Sequence, residues 1–150
     1  MTVTGITRYG AYVPRLRIAR KCIADAHAWM SASGRSGVKG SRAFCNWDED
    51  AVTMAVEAAR DCISPADRAG VEALSLASTT LPFSDLQCSA VVAGALRLKD
   101  AVRSIDIAHS QRGGTSALIQ ALQEPLGALV VASERPVAKP GSPQELGFGA

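Results

Sequence analysis

Seven residues, His109-Ser110-Gln111-Arg112-Gly113-Gly114-Thr115, stand between an apolar run that reads as a buried strand and a stretch that reads as a helix. A strand that ends in a tight glycine turn and opens a helix brings one side chain, backbone N–H groups and the positive end of the helix to a single point. Those are the parts of a nucleophile elbow with its oxyanion hole, the machinery of acyl transfer. Gly113 and Gly114 serve equally well for a tight turn with no chemistry, so the identity of the elbow residue decides. Ser110 is a poor nucleophile candidate, because consecutive side chains at a strand end point in opposite directions. His109, at the end of a buried strand, reads as a hydrogen-bonded structural residue before it reads as a base.

The remaining reactive side chains are weaker candidates. Cys22, Cys45, Cys62 and Cys88 are about twenty residues apart and form no C-x-x-C pair, which argues against a zinc knuckle and gives no metal site. A chain of 150 residues can build a core without disulfide staples, so reduced, buried or half-buried thiols are expected. Cys88 opens a helix whose dipole would lower its pKa, with simple packing as the other reading. His27 sits on a surface-type helix and reads as inert. Arg15, Arg17, Arg20 and Lys21 form a basic stretch that would suit a phosphate but reads first as a solvated face.

The composition narrows the classes. With 47% apolar and 20% charged residues the chain is ordinary globular material, which excludes disorder or fibrous repeats for the whole of it. The net charge of +2, from 16 basic and 14 acidic residues spread along the chain, leaves no footprint for nucleic acid or an acidic membrane. No apolar run approaches a membrane span and the first residues lack a signal-peptide pattern, so a cytoplasmic location is expected.

Several elements must position the glycine turn. Residues Val3 to Tyr12 read as a first strand that leaves at Pro14, and Ile18 to Met30 as a helix followed by an exposed Ser/Gly-rich loop. Asn46 or Asp48 is expected to cap a helix running to about Ile63, with Val52, Ala55, Val56, Ala59, Cys62 and Ile63 on one buried face. From there strand and helix alternate: 71–77 strand, 84–98 helix, 101–108 strand, 115–122 helix, 126–133 strand. That alternation implies crossover units and a mostly parallel sheet. Two of the runs, VEALSLAS and LGALVVAS, are largely apolar instead of alternating, as central strands covered on both faces are. Ligands of such sheets bind beyond the carboxyl ends of the strands, which directs attention to loops 78–84, 109–114 and 134–146.

The stretches GITRYGAYVPRLRI, NWDEDAVTMAVEAARDCI, ASTTLPFSDLQCSAVVAGALRL, IAHSQRGGTSAL and ALVVASERPV together resemble the amino-terminal half of the thiolase superfamily. Within it they are most similar to the hydroxymethylglutaryl-CoA synthase and ketoacyl synthase III branch of condensing enzymes. The resemblance implies an α/β, thiolase-like fold. Residues 1–150 would form one βαβαβαββ half with a mixed, mostly parallel five-stranded sheet, and the final LGFGA would start its last strand. It implies an acyl-CoA or acyl-carrier thioester as substrate, carbon–carbon bond formation or cleavage, and no further cofactor.

The family's nucleophilic cysteine lies in a motif of the form A-C-x-G-G-T. Gly113, Gly114 and Thr115 match it, and the cysteine position falls on Gln111, which cannot be acylated. The synthase branch places a glutamate general base at the position of Thr80, so that acid is missing too. Three explanations of Gln111 stand side by side: a decarboxylating or otherwise thiol-independent enzyme, a non-catalytic subunit that pairs with an active or complementary chain, and an engineered substitution, which the unusual Arg112 beside it disfavours. The family's remaining catalytic groups, in its carboxy-terminal half, imply a complementary thiolase-like half or subunit. Dimers and a zinc-ribbon/OB-fold partner are further implications of the resemblance.

Overall fold

The structure, a computed structural model, describes residues 4–30 and 38–147. The chain divides into two compact units, Met1–Tyr12 with Asp50–Glu134, and Val13–Glu49 with Arg135–Ala150.

The first unit is built on three parallel strands, β3 (Ala73–Ser78), β4 (Arg103–Ala108) and β5 (Ala128–Ala132), in the order β4-β3-β5. Two helices, α2 (Ala51–Cys62) and α3 (Cys88–Ala95), pack on one face, where Val52, Ala55, Val56, Ala59 and Val92 close over Leu74, Leu76, Leu129 and Val131. Strand alternation turns the other residues, Ala77, Ile107 and Ala132 among them, toward α4 (Gly113–Gln123). Small side chains on that face let the helix come close.

Helix α2 begins later than the sequence suggests. Its cap is Asp50, in a reciprocal box with Thr53: the Thr53 N–H donates to Asp50 Oδ1 at 2.8 Å and the Asp50 N–H to Thr53 Oγ1 at 2.7 Å. Neither Asn46 nor Asp48 is that cap; the Asn46 N–H donates instead to Glu49 Oε2. Helix α3 is also shorter than 84–98. Residues 84–87 turn before it, and it ends in a Schellman turn in which Leu98 N–H reaches Ala93 O and Arg97 adopts φ 54°.

The expected five-stranded mixed sheet is, among the described residues, a three-stranded parallel one. Residues 4–12 run without strand pairing, and Val3 lies outside the described residues. Among the described residues β5 is an edge strand, with Leu129 and Val131 buried and Ala128 and Ala132 exposed, although its sequence reads as fully covered. An all-apolar run records what a strand can tolerate on both faces, not which neighbours cover it.

The second unit pairs β1 (Arg17–Ala19) antiparallel with β2 (Ser41–Ala43), and packs α1 (Arg20–Ala26) beside α5 (Pro143–Gly147). The expected helix over 18–30 is thus a strand followed by two turns of helix. Of the Ser/Gly-rich loop, residues 31–37 lie outside the described residues. Leu146 and Gly147 are helical where a strand was expected to begin, and 148–150 are outside the described residues. No helix among the described residues is long and apolar enough to cross a membrane.

Candidate active site

In the first unit the register sets Ser78 opposite Ala108, and Ala77 opposite Ala132. The carboxyl ends of all three strands therefore finish side by side, and Thr79 and Thr80, His109 to Gln111, and Ser133 and Glu134 leave along one edge of the sheet. Neighbouring strands lie about 4.8 Å apart. The topology thus brings Thr80 and Gln111 to adjacent strand ends, with β3 in the middle.

The turn between β4 and α4 is built from its backbone. His109 leaves the strand with φ 64°, the left-handed region that histidine enters more readily than most residues. The Gly113 N–H donates to Ser110 O at 2.9 Å, and the Arg112 N–H to Ser110 Oγ at 3.2 Å. Ser110 is therefore held as a turn-forming residue with its hydroxyl engaged. Gln111 and Arg112 form the tip and are exposed. No side chain caps α4, so beyond the Gly113 N–H that Ser110 O takes, the next N–H groups of the first turn remain available to a carbonyl oxygen or an anion.

Gly113 and Gly114 do not supply an unusual φ here; they supply nearness. A Cβ on Gly113 would sit 3.1 Å from Ile107 Cγ2 and 3.2 Å from the Ile107 carbonyl oxygen, and one on Gly114 would sit 3.2 Å from the Ala132 Cβ. The start of α4 is seated against β4 and β5 because these residues lack side chains, which places the turn directly over the strand ends.

A carboxylate that the sequence reading passed over enters from β5. Glu134 Oε1 accepts the Thr79 N–H at 2.7 Å, and Oε2 accepts the hydroxyls of Thr79 at 3.0 Å and Thr80 at 2.9 Å. The only sequence signal for it is an acidic residue just past an apolar strand. Asp106 works at α3: its two oxygens accept the N–H groups of Cys88 and Ser89, both at 2.7 Å. The Cys88 thiol is fully buried, and burial pushes its pKa up, with Asp106 adding to the rise. Cys88 thus behaves as a packing residue.

The other candidates are structural and lie in the second unit. Arg17 donates to the carbonyls of Pro14 and Leu16, and Arg20 to Leu146 O and Ser41 O. His27 Nε2 lies 3.1 Å from Glu145 Oε2. In the first unit, a cleft of about 540 Å³ runs between residues 4–10 and β5, lined by Ile6, Cys62, Leu122 and Val130, and contains neither Gln111 nor Thr80. Most of its lining is apolar, and its two charged residues, Arg8 and Asp67, are paired with each other at 2.9 Å, whereas the strand edge gathers Thr79, Thr80, Gln111 and Glu134. Among the described residues no group of three His, Cys, Asp or Glu could hold a metal ion.

No protein-family model matches the chain. The hydroxymethylglutaryl-CoA synthase of Caldivirga maquilingensis is 35% identical over 123 residues, which span 77% of this chain and 34% of that protein. Among solved structures, the β-ketoacyl-[acyl carrier protein] synthase III of Thermus thermophilus superposes with a TM-score of 0.70 at 26% identity, over 88% of this chain and 43% of that one. The priming β-ketosynthase of the R1128 polyketide pathway gives 0.75 at 23% identity, over 95% of this chain and 46% of that one. The chain spans about a third of the length of the curated relatives it matches.

Proposed function

Because the chain belongs to the thiolase superfamily, among the hydroxymethylglutaryl-CoA synthase-like and ketoacyl synthase III-like condensing enzymes, we propose that its strand edge receives an acyl-CoA or acyl-carrier thioester and forms or breaks a carbon–carbon bond. The observation that carries the reading is the turn Ser110–Gly113, which lifts Gln111 to the mouth of an uncapped helix seated over the strand ends. Gln111 occupies the nucleophile position and offers an amide in place of a thiol. The amide and the N–H groups of the α4 end polarise the thioester carbonyl, so that negative charge gathers on its oxygen. A malonyl thioester held there loses carbon dioxide: the bond from C2 to the carboxylate breaks and its electron pair moves toward the carbonyl as an enolate. No covalent acyl-enzyme forms, and no cofactor takes part.

In this proposal the site acts in the cytoplasm together with a complementary thiolase-like half or subunit. The test is carbon dioxide release from malonyl-CoA by that assembly, with Gln111→Ala lowering the rate by about 10²-fold, the scale of a lost oxyanion-hole donor. Gln111→Cys should gain an acyl adduct visible by intact mass. Release that is undiminished in Gln111→Ala removes the residue from the reaction.

A second reading, a non-catalytic thiolase-like subunit, is favoured by one observation. Ile119 and Leu122 of α4 and Ile105 of β4 remain well exposed, as a surface made for a partner would be. It predicts binding to the complementary chain with no turnover by Gln111.

A further inference from the structure

We propose that Glu134 is the base of this site and acts through the hydroxyl of Thr80, so that a carboxylate from β5 supplies proton chemistry at a β3 position that has no acid of its own. The inference rests on the thioester reading above. A hydroxyl has one proton to donate and two positions at which to accept. Thr80 directs its proton to Glu134 Oε2 at 2.9 Å, so at the 3.3 Å contact between Ser78 Oγ and Thr80 Oγ1 it is Ser78 that donates. Thr80 Oγ1 is thereby fixed as an acceptor with a carboxylate behind it. The Thr80 N–H to Ser78 Oγ bond at 3.0 Å and the two bonds from Thr79 to Glu134 hold both ends of the relay. Glu134 does not drift as an exposed glutamate ordinarily would, because each of its oxygens is tied to β3.

The step balances without another reagent. A C–H bond next to the thioester carbonyl breaks, and its electron pair moves onto the carbonyl oxygen as an enolate. The proton passes to Thr80 Oγ1 as the proton already there moves to Glu134 Oε2. In reverse, the same path returns a solvent proton to the enolate carbon left by decarboxylation. Thr80 is the residue that meets the substrate; Glu134 sets its basicity.

The test uses acetyl-CoA in D2O with the same assembly as the malonyl-CoA assay. Thioester binding is followed by calorimetry and deuterium entry into the acetyl group by mass spectrometry. The unaltered protein should exchange the acetyl hydrogens. Glu134→Gln should lower exchange by about 10²-fold, the scale of general acid–base catalysis, while binding persists. Thr80→Val, which leaves Glu134 in place, should do the same, and serves if Glu134→Gln fails to fold. Thr80→Glu placed in Glu134→Gln should restore exchange. Thioester bound without exchange, or exchange equal in all variants, overturns the relay and leaves the thioester reading standing. Absence of binding overturns both.

Discussion

The two helices that start near the carboxyl edge of the sheet begin in opposite ways. Helix α3 opens on Cys88 and Ser89, whose N–H groups are both taken by the Asp106 carboxylate reaching across from β4. Helix α4 opens on Gly113 and Gly114 with no side-chain cap and a solvent-facing glutamine before it. Both helix ends carry the same partial positive charge. One has been neutralised from within the fold and serves to fasten a crossover; the other carries no side-chain cap. The difference teaches that a helix N-terminus is a site only where the fold declines to fill it.

The largest effect should come from emptying the filled end. Asp106→Ala orphans two N–H groups that a charged acceptor had satisfied, and urea unfolding should show a loss of about 3 kcal/mol. A loss below about 1 kcal/mol would mean that water replaces the carboxylate and that the two helix ends are alike. Crowding the open end comes next. Gly113→Val forces a branched side chain against Ile107 and its carbonyl, and should cost about 2 kcal/mol in stability and detach α4 from the strand ends. Thioester binding should fall with it, whereas Asp106→Ala should spare binding in whatever fraction stays folded.

A smaller change tests the far end of α3. Arg97 is held at φ 54° by its Schellman turn, so Arg97→Gly should raise stability by about 1 kcal/mol in the same unfolding measurement. The smallest effect is one of pH. Burial holds the Cys88 thiol above its ordinary pKa, so an unfolded chain releases that proton first as pH rises. Its contribution to stability is complete below the unfolded thiol's pKa of about 8.5 and is lost as pH climbs from there through the folded value. Cys88→Ala should flatten the alkaline fall in melting temperature, and a thiol reagent at pH 8 should label exposed Cys22 well before Cys88.

Periodicity exposed much of this architecture in advance. Val52, Ala55, Val56 and Ala59 recur at helical spacing because one face of α2 is buried, and the apolar runs around 71–77 and 126–133 contain β3 and β5 for the same reason. The glycine pair located the turn at α4. Boundaries were less legible: the α2 cap moved to Asp50 because Thr53 stands three residues on to reciprocate, and Ile18 went to a strand because Ala43, Arg42 and Ser41 lie alongside to pair with Arg17–Ala19. Glu134 was legible only as the first residue of the loop 134–146, with no role attached to it. Its partners are 54 and 55 residues away, and no local pattern marks an acid that reaches across to another strand.

The sequence by itself determined which residues are apolar at helical or strand spacing, where the chain has glycine in place of a side chain, and that a glutamine stands two residues before the glycine pair. Those are properties of single positions and near neighbours. Only the tertiary structure decided that three strand ends finish level, that Asp106 closes one helix end while the other stays open, and that Glu134 backs Thr80. Each of these depends on register between strands distant along the chain, and register is set by packing, not by any segment alone.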